Sequence, residues 1–295
     1  MTGQPHQDAA VRYCGRVFTA AELDAVRTLA AALPTRARIA EALCDALDWR
    51  RPDGRRKDMS ARVALLRMAD DGLLTLPAPR NTNGNGRIPH RIEPGPQPPL
   101  PVSVSLARLG PIELRLVGTQ AQSKLWRTLI ATHHYLGYTP LAGAQLRYLV
   151  QTPHGIVAAL AFAASAWKCA PRDAHIGWDP ATRTARLHLV VNNARFLILP
   201  HVRVPNLASC VLAQVTRRIR LDWQTAYHYQ PVLIETFVQA DRFTGASYRA
   251  ANWTHVGRTK GRGKLDRHHA QRLPVKDVYL YPLHHAYRRV LAGTD

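Results

Sequence analysis

Between Arg186 and Gly263 apolar runs and turn residues alternate so regularly that few folds can accommodate them. Residues 186–200 are rich in β-branched and aromatic apolar side chains and stop at Pro200, which predicts a strand or strand pair, interrupted near Asn192-Asn193. After Pro205, Asn206 can cap a helix in which Leu207, Val211, Val215 and Ile219 recur at every fourth position, one buried stripe. A second apolar strand over residues 231–238 carries a single acid, Glu235. Residues 248–253 are a short helix candidate, and residues 257–264 form a cationic, glycine-rich loop. A core unit therefore ends in a basic loop.

The rest of the chain arranges itself around that unit. Residues 1–18 lack apolar periodicity and are expected to be a flexible tail. Thr19 can cap a helix with Leu23, Val26 and Ala30 inward, and a second helix follows Thr35 with Ile39, Leu43 and Leu47. After a turn with five basic residues (50–57), Asp58 or Ser60 starts a third helix, with Val63, Leu66 and Met68 expected inward. Residues 73–77 complete the order as a short strand. Three helices, a basic turn before the third, then a strand is the order of a winged helix-turn-helix, and it is equally the order of a plain accessory bundle. In the first case Arg55, Arg56, Lys57, Arg62 and Arg67 would meet phosphate or a groove. Residues 81–101, with an Asn/Gly run and five prolines between Pro94 and Pro101, form a linker. The expected domains are thus 19–80 and 102–295, the second with a basic loop over 242–272.

The second domain opens with a strand (112–117) and a helix (121–134), and continues with a hairpin (146–150 and 156–165) across Thr152-Pro-His-Gly155. A polar, aromatic stretch (172–178) and a turn at Asp179-Pro180 precede the core unit, and residues 279–282 offer a closing strand before a tail helix. The fold class expected is α+β, with a mixed sheet.

Charge narrows the partners. The 295 residues hold 40 Lys and Arg against 20 Asp and Glu, a net +20, which points to a polyanion. The excess is mostly arginine, whose planar fork suits phosphate and base edges, so nucleic acid, DNA before RNA, is preferred to a membrane surface. No apolar run of about eighteen residues suggests a membrane span. Four scattered cysteines without C-x-x-C spacing argue against zinc and a disulfide framework and fit a reducing cytoplasm. No metal site and no particular cofactor is indicated.

The order of strands and helices resembles the GCN5-related N-acetyltransferase fold, in which a helix after the fourth strand offers its N-terminus to a cofactor pyrophosphate. That superfamily carries a glycine-rich loop there, whereas this chain has His201-Val-Arg-Val-Pro-Asn-Leu-Ala208. Proline lacks an N–H and no glycine permits close approach of backbone to phosphate. A nearer resemblance rests on ordered motifs: His134-Tyr-Leu-Gly137, Arg147-Tyr-Leu-Val150, Arg172-Asp173 with Ile176-Gly-Trp178, Asn193–Pro200, Asn206-Leu-Ala-Ser209, Glu235-Thr-Phe-Val238, Tyr248–Trp253 and Gly257–Gly263. Over about residues 20–285 the chain is similar to the family of Druantia anti-phage system protein A. That resemblance implies phage defence or mobile elements, with other defence-system or transposon proteins as possible partners.

The chemistry follows from a few side chains. A carboxylate such as Glu235 in an apolar strand is costly unless paired, so it either meets Arg172, Arg195 or Arg249, or has a raised pKa suited to proton transfer. Asp173 is a second acid or a partner in that arginine cluster, and His134 beside Tyr135 is a candidate general base or a helix cap. A metal nuclease would need Glu235, Asp173 and Asp241 together. From Asp241 to Arg272 eight Lys/Arg face two Asp. Within that stretch Arg258, Lys260, Arg262 and Lys264 are expected on phosphate, with Tyr248 and Trp253 as stacking surfaces. DNA binding in a defence or mobile-element system is the first function expected. An acyl- or aminoacyl-transferase acting on nucleic acid, or on a group borne by tRNA or CoA, is the alternative.

Overall fold

The computed structural model describes residues 10–80, 100–141, 143–261 and 273–294, and the chain divides into two units, residues 1–90 and 91–295. Most of the expected linker, residues 81–99, lies outside the described residues. No described helix is long and apolar enough to cross a membrane.

In the first unit, β1 (Val11–Tyr13) and β2 (Arg16–Phe18) form an antiparallel hairpin where a flexible tail was expected. Strands of three residues are too short to show a period, and the hairpin is held by the fully buried Phe18, edge-on to Trp49 at 5.7 Å. Thr19 starts α1 (Ala20–Ala32) in a capping box with Glu22, and Thr35 starts α2 (Arg36–Ala46). In α3 (Asp58–Asp70) the inward face differs from the expected one. Ala61, Ala64, Leu65 and Met68 are buried, whereas Val63 and Leu66 are 37% and 42% exposed. The true stripe runs 61, 64/65, 68, the i, i+3/i+4, i+7 rule, and alanines make it hard to see. Residues 73–77 pack on the cluster without forming a strand, so the hairpin precedes the helices and, among the described residues of this unit, no strand follows them.

The second unit is α+β. β3 (Glu113–Leu116), α4 (Gln120–His133), β4 (Gln145–Thr152) and β5 (Gly155–Ala164) lead to two short helices, α5 (Ala170–Ile176) and α6 (Pro180–Arg186). Then come β6 (Val190–Ile198), α7 (Leu207–Tyr227), β7 (Leu233–Gln239), α8 (Ala246–Ala250), β8 (Thr254–Arg258), β9 (Lys276–Pro282) and α9 (Tyr287–Ala292). The seven strands lie in the order β3-β4-β5-β6-β7-β9-β8. Every neighbouring pair is antiparallel except β6 and β7, which are parallel because α7 crosses between them. The α7 stripe is as spaced in the sequence: Leu207, Val211, Val215 and Ile219 are all buried. Asn206 sits before it at φ 62 without a side-chain capping bond, so its part is a left-handed entry turn and not the expected cap. The stretch expected as polar chain and turn is instead helical, started by Pro171 in α5 and by Asp179-Pro180 in α6.

Two local features open the sheet at its middle. Ala194 is an extra residue in β6, since Phe162 pairs with Asn193 and Ala161 with Arg195. The parallel pairing covers only Val190–Asn192 against Leu233–Glu235. Beyond Asn193 and Thr236 the two strands continue apart.

Glu235, the last residue of β7 paired with β6, is wholly buried. Its Oε1 accepts the Ala166 N–H at 2.7 Å and its Oε2 accepts from Arg172 Nη1 at 2.7 Å, tying β7 to the segment after β5. Arg172, also wholly buried, donates from Nη1 to the Ala166 carbonyl and from Nε to Asp173 Oδ1. Removing one partner of such a pair strands a charge. Arg172→Met should therefore lower stability by about 3–5 kcal/mol, read as a shifted urea midpoint, and adding Glu235→Leu should recover part of that loss. A double variant as unstable as the sum of the two singles would show the pair to be uncoupled.

Candidate active site

A cavity of about 480 Å³ opens where β6 and β7 part. β6 contributes Asn193 to Ile198 without Arg195, and β7 contributes Thr236 to Val238. The segment into α8 adds residues 242–248, the end of α4 adds His133 to Leu136, and the first turn of α7 adds Ala208. Gly245 sits at φ 71, and a Cβ there would collide with the Tyr279 hydroxyl, so only glycine lets this segment lie so close to β9.

A chain of hydrogen bonds crosses the cavity wall. Tyr248 Oη donates to Asn193 Oδ1 at 2.8 Å, and Asn193 Nδ2 donates to the Ala161 and Arg195 carbonyls at 3.2 Å each. Thr236 Oγ1 donates to the Asn193 carbonyl at 3.1 Å. Burial pushes the Tyr248 phenol well above its ordinary value, so it keeps its proton at neutral pH. At the other end His134, 9% exposed, accepts the Leu136 N–H on Nδ1 at 3.2 Å. Burial, then Arg195 and Arg242, push its pKa down to about 4. The ring is neutral, and this hydrogen bond assigns its proton to Nε2. His134 takes the helix-cap alternative as the C-cap of α4, and in this geometry its ring presents an N–H.

The mouth is cationic. Arg242 lies 4.9 Å from the Tyr135 ring centroid, and Tyr135 stacks on His134 at 4.9 Å. Arg195 donates to Thr139 Oγ1 and the Ala194 carbonyl, and its Nε is buried without a hydrogen bond. Among the described residues neither arginine is ion-paired, and no carboxylate lines the cavity. The arrangement offers an apolar chamber, a phenol proton, an imidazole N–H and a positive rim.

The other expected site residues are placed elsewhere. Glu235 and Asp173 meet on Arg172, away from the cavity; Glu235 takes the ion-pair alternative, and both its oxygens are engaged. Asp173 additionally accepts from Trp178 Nε1 at 3.0 Å. Among the described residues no three His, Cys, Asp or Glu side chains converge as metal ligands, so Glu235, Asp173 and Asp241 do not form the nuclease centre considered above. Trp253 is 3% exposed and Tyr248 packs beside it with ring centroids 5.0 Å apart, so the residues expected to stack on bases are core and cavity residues. Arg56 is held by Asp45, Arg62 lies 3.7 Å from Asp58, and Arg258 is held by Asp277. Arg55, Arg67 and Lys260 are exposed and Lys57 half-buried. Arg262 and Lys264 lie outside the described residues. Asn193, Thr236 and Arg242 were not singled out from the sequence; the available signal was a polar residue inside each of two apolar strands.

The His134 geometry sets a pH dependence. Its folded value, about 4, lies below the unfolded 6.5, so the unfolded chain takes the proton first. Above about pH 6.5 His134 costs nothing; as pH falls from 6.5 toward 4 it withdraws stability. The gap in melting temperature between wild type and His134→Gln should move in favour of the variant over that range. A gap independent of pH would show that the imidazole is not held neutral.

The chain is similar in fold to several acetyltransferases. One is the Escherichia coli ribosomal-protein-S18-alanine N-acetyltransferase, 7% identical, covering 59% of this chain and 94% of that one, with a TM-score of 0.39. FeeM, an N-acyl amino acid synthase from uncultured soil microbes, is 10% identical over 59% of this chain and 93% of its own, with a TM-score of 0.37. A putative acetyltransferase of the GNAT family from Desulfovibrio desulfuricans is 11% identical over 59% and 100%, with a TM-score of 0.38. These likenesses are distant, and the fold rests on the strand order itself. No curated protein matches the chain. The model of the family Druantia protein DruA matches residues 100–271, which is more than half of the 295 residues and includes the cavity and the buried ion pair. The chain belongs to the Druantia protein DruA family.

Proposed function

We propose that this chain acts on nucleic acid, DNA first, in prokaryotic anti-phage defence, and that the cavity between β6 and β7 is a transferase-like centre for an acyl or aminoacyl group. The observation that carries this reading is the cavity itself: about 480 Å³, free of carboxylates, with Tyr248, His134 and Arg242 in its lining. An acyl carbonyl in the chamber would take the His134 Nε2–H as its oxyanion donor. As the acyl bond to its carrier breaks and a new one forms to the hydroxyl or amine of the acceptor, the Tyr248 phenol would give its proton to the leaving group and regain one from the acceptor.

The carrier is better borne by nucleic acid than by CoA. In the loop where a pyrophosphate would sit, the N–H groups of Val202, Arg203 and Leu207 are taken by the carbonyls of Leu199, Val102 and Val204, and Pro205 has none. The rim, by contrast, is positive, as a phosphodiester requires. A second reading, nucleic-acid binding without chemistry, is favoured by the 40 to 20 charge imbalance.

Two measurements decide. The affinity of the full chain for DNA should fall steeply with salt, with a slope of log Kd on log salt of several units; an affinity flat between low and high salt would sink both readings. Tyr248→Phe removes one proton and almost no volume. In phage-challenged cells carrying the complete defence system it should abolish protection by about 10²-fold or more while DNA affinity stays unchanged. Full protection by Tyr248→Phe would leave binding without chemistry.

A further inference from the structure

We infer that the face built by α5, α6 and α9 is a docking surface for single-stranded nucleic acid. The inference rests on the proposal that the chain works on nucleic acid, and it locates a grip in none of the segments expected from the sequence.

α5 and α6 are an insertion between two adjacent strands of the sheet, β5 and β6. They carry their own apolar cluster, in which Ile176, Trp178 and Leu187 pack with Leu291 of α9. The buried Arg172 ties α5 to Glu235 of the sheet. A module so firmly attached, yet lining none of the cavity, presents a particular outer surface. Trp167 is 48% exposed, with the Arg183 guanidinium 6.0 Å from its ring centroid. His175 and Tyr287 are joined by a 2.8 Å hydrogen bond and lie nearly coplanar, 12° apart. Arg288 reaches His175 at 3.0 Å and lies 5.8 Å from the Tyr287 ring, and Arg289 beside it is exposed.

Charge on this face is one-sided. Among the described residues its two carboxylates are both engaged internally: Asp173 holds Arg172 and Arg183, and Asp179 caps the amides of Ala181 and Thr182. Lys168, Arg288 and Arg289 are exposed and left to meet an anion on the solvent side, whereas Arg183 lies 3.5 Å from Asp173 Oδ2. Alternating arginines and aromatic rings fit a strand whose bases are unpaired, because guanidinium groups track the phosphates while an exposed indole stacks on any base. A duplex hides its base faces and would use the arginines alone. An acidic protein would have no use for Trp167 beyond area.

The test is fluorescence anisotropy of a labelled oligothymidylate titrated with the full chain at several salt concentrations. Trp167→Ala should weaken binding about tenfold, and Trp167→Phe should restore most of it. Arg288→Ala with Arg289→Ala should lower the salt slope by about 1.4, the single-strand value for two phosphate contacts. Unchanged melting temperatures would confirm that the variants fold. Wild-type binding that neither variant alters would overturn this surface and leave the proposed function standing. No oligonucleotide binding at any salt would remove that function as well. A duplex of equal length bound more tightly and insensitive to Trp167→Ala would overturn the single-strand assignment. Displacement of the oligonucleotide by poly-glutamate at equal charge would reassign the face to an acidic protein.

Discussion

Glu235 and Arg172 meet at 2.7 Å with neither side chain exposed, and the middle of the sheet is built around that contact. Taking two charges out of water costs several kcal/mol for each, and mutual attraction offsets it only when the remaining donors and acceptors are satisfied. Here they nearly are. Glu235 has the Ala166 N–H as well as Arg172, and Arg172 has the Ala166 carbonyl, Asp173 and, 5.6 Å away, the face of Trp178. Burial raises the Glu235 carboxyl above its ordinary value while Arg172 and the Ala166 amide oppose the rise. The pair is directional, so it pins β7, the end of β5 and α5 in one register where apolar packing alone would permit sliding. That register is the one at which β6 and β7 stop pairing.

The cavity is a consequence of this pinning. A parallel pair held at Asn192 and Glu235 and bulged at Ala194 cannot keep its ladder further on, so backbone groups of both strands need other partners. Side chains supply some of them: Asn193 donates back to the Ala161 and Arg195 carbonyls, and Thr236 donates to the Asn193 carbonyl. Polar residues in the interior of two apolar strands are thus required by the opening itself. Tyr248 closes the same network from α8, which makes its phenol both a structural member and part of the chamber's lining.

How far the sequence carried depended on the range of each signal. The α7 stripe was legible because four apolar residues at i+4 spacing have only one amphipathic solution. Glu235 was legible as an alternative, because a lone acid in an apolar strand must find a cation, and Arg172 was among three named. The inward face of α3 was hidden by its alanines, and the hairpin at residues 11–18 by its shortness. The cavity was not legible at all, since it follows from one extra residue in β6 and a pairing that ends early. Tyr248 and Trp253 misled for a different reason: aromatic residues in a basic stretch suggest base stacking, while their burial depends on which face of the sheet α8 covers.

The chamber and the loop before α7 are built by different groups. A pyrophosphate cradle depends on free backbone amides and close approach; here Val202 and Arg203 give theirs to Leu199 and Val102, and Pro205 has none to give. The chamber is lined by the splayed β6 and β7 together with the segment into α8, the end of α4 and Ala208. With three of the loop's amides taken, side chains would carry more of the hold on any anionic part of a ligand. Arg242, stacked on Tyr135 at the mouth, is the lining cation placed for it. Side-chain cations at a rim grip a long, repeating polyanion as readily as a single cofactor, and a surplus of twenty positive charges is in keeping with the polyanion proposed above.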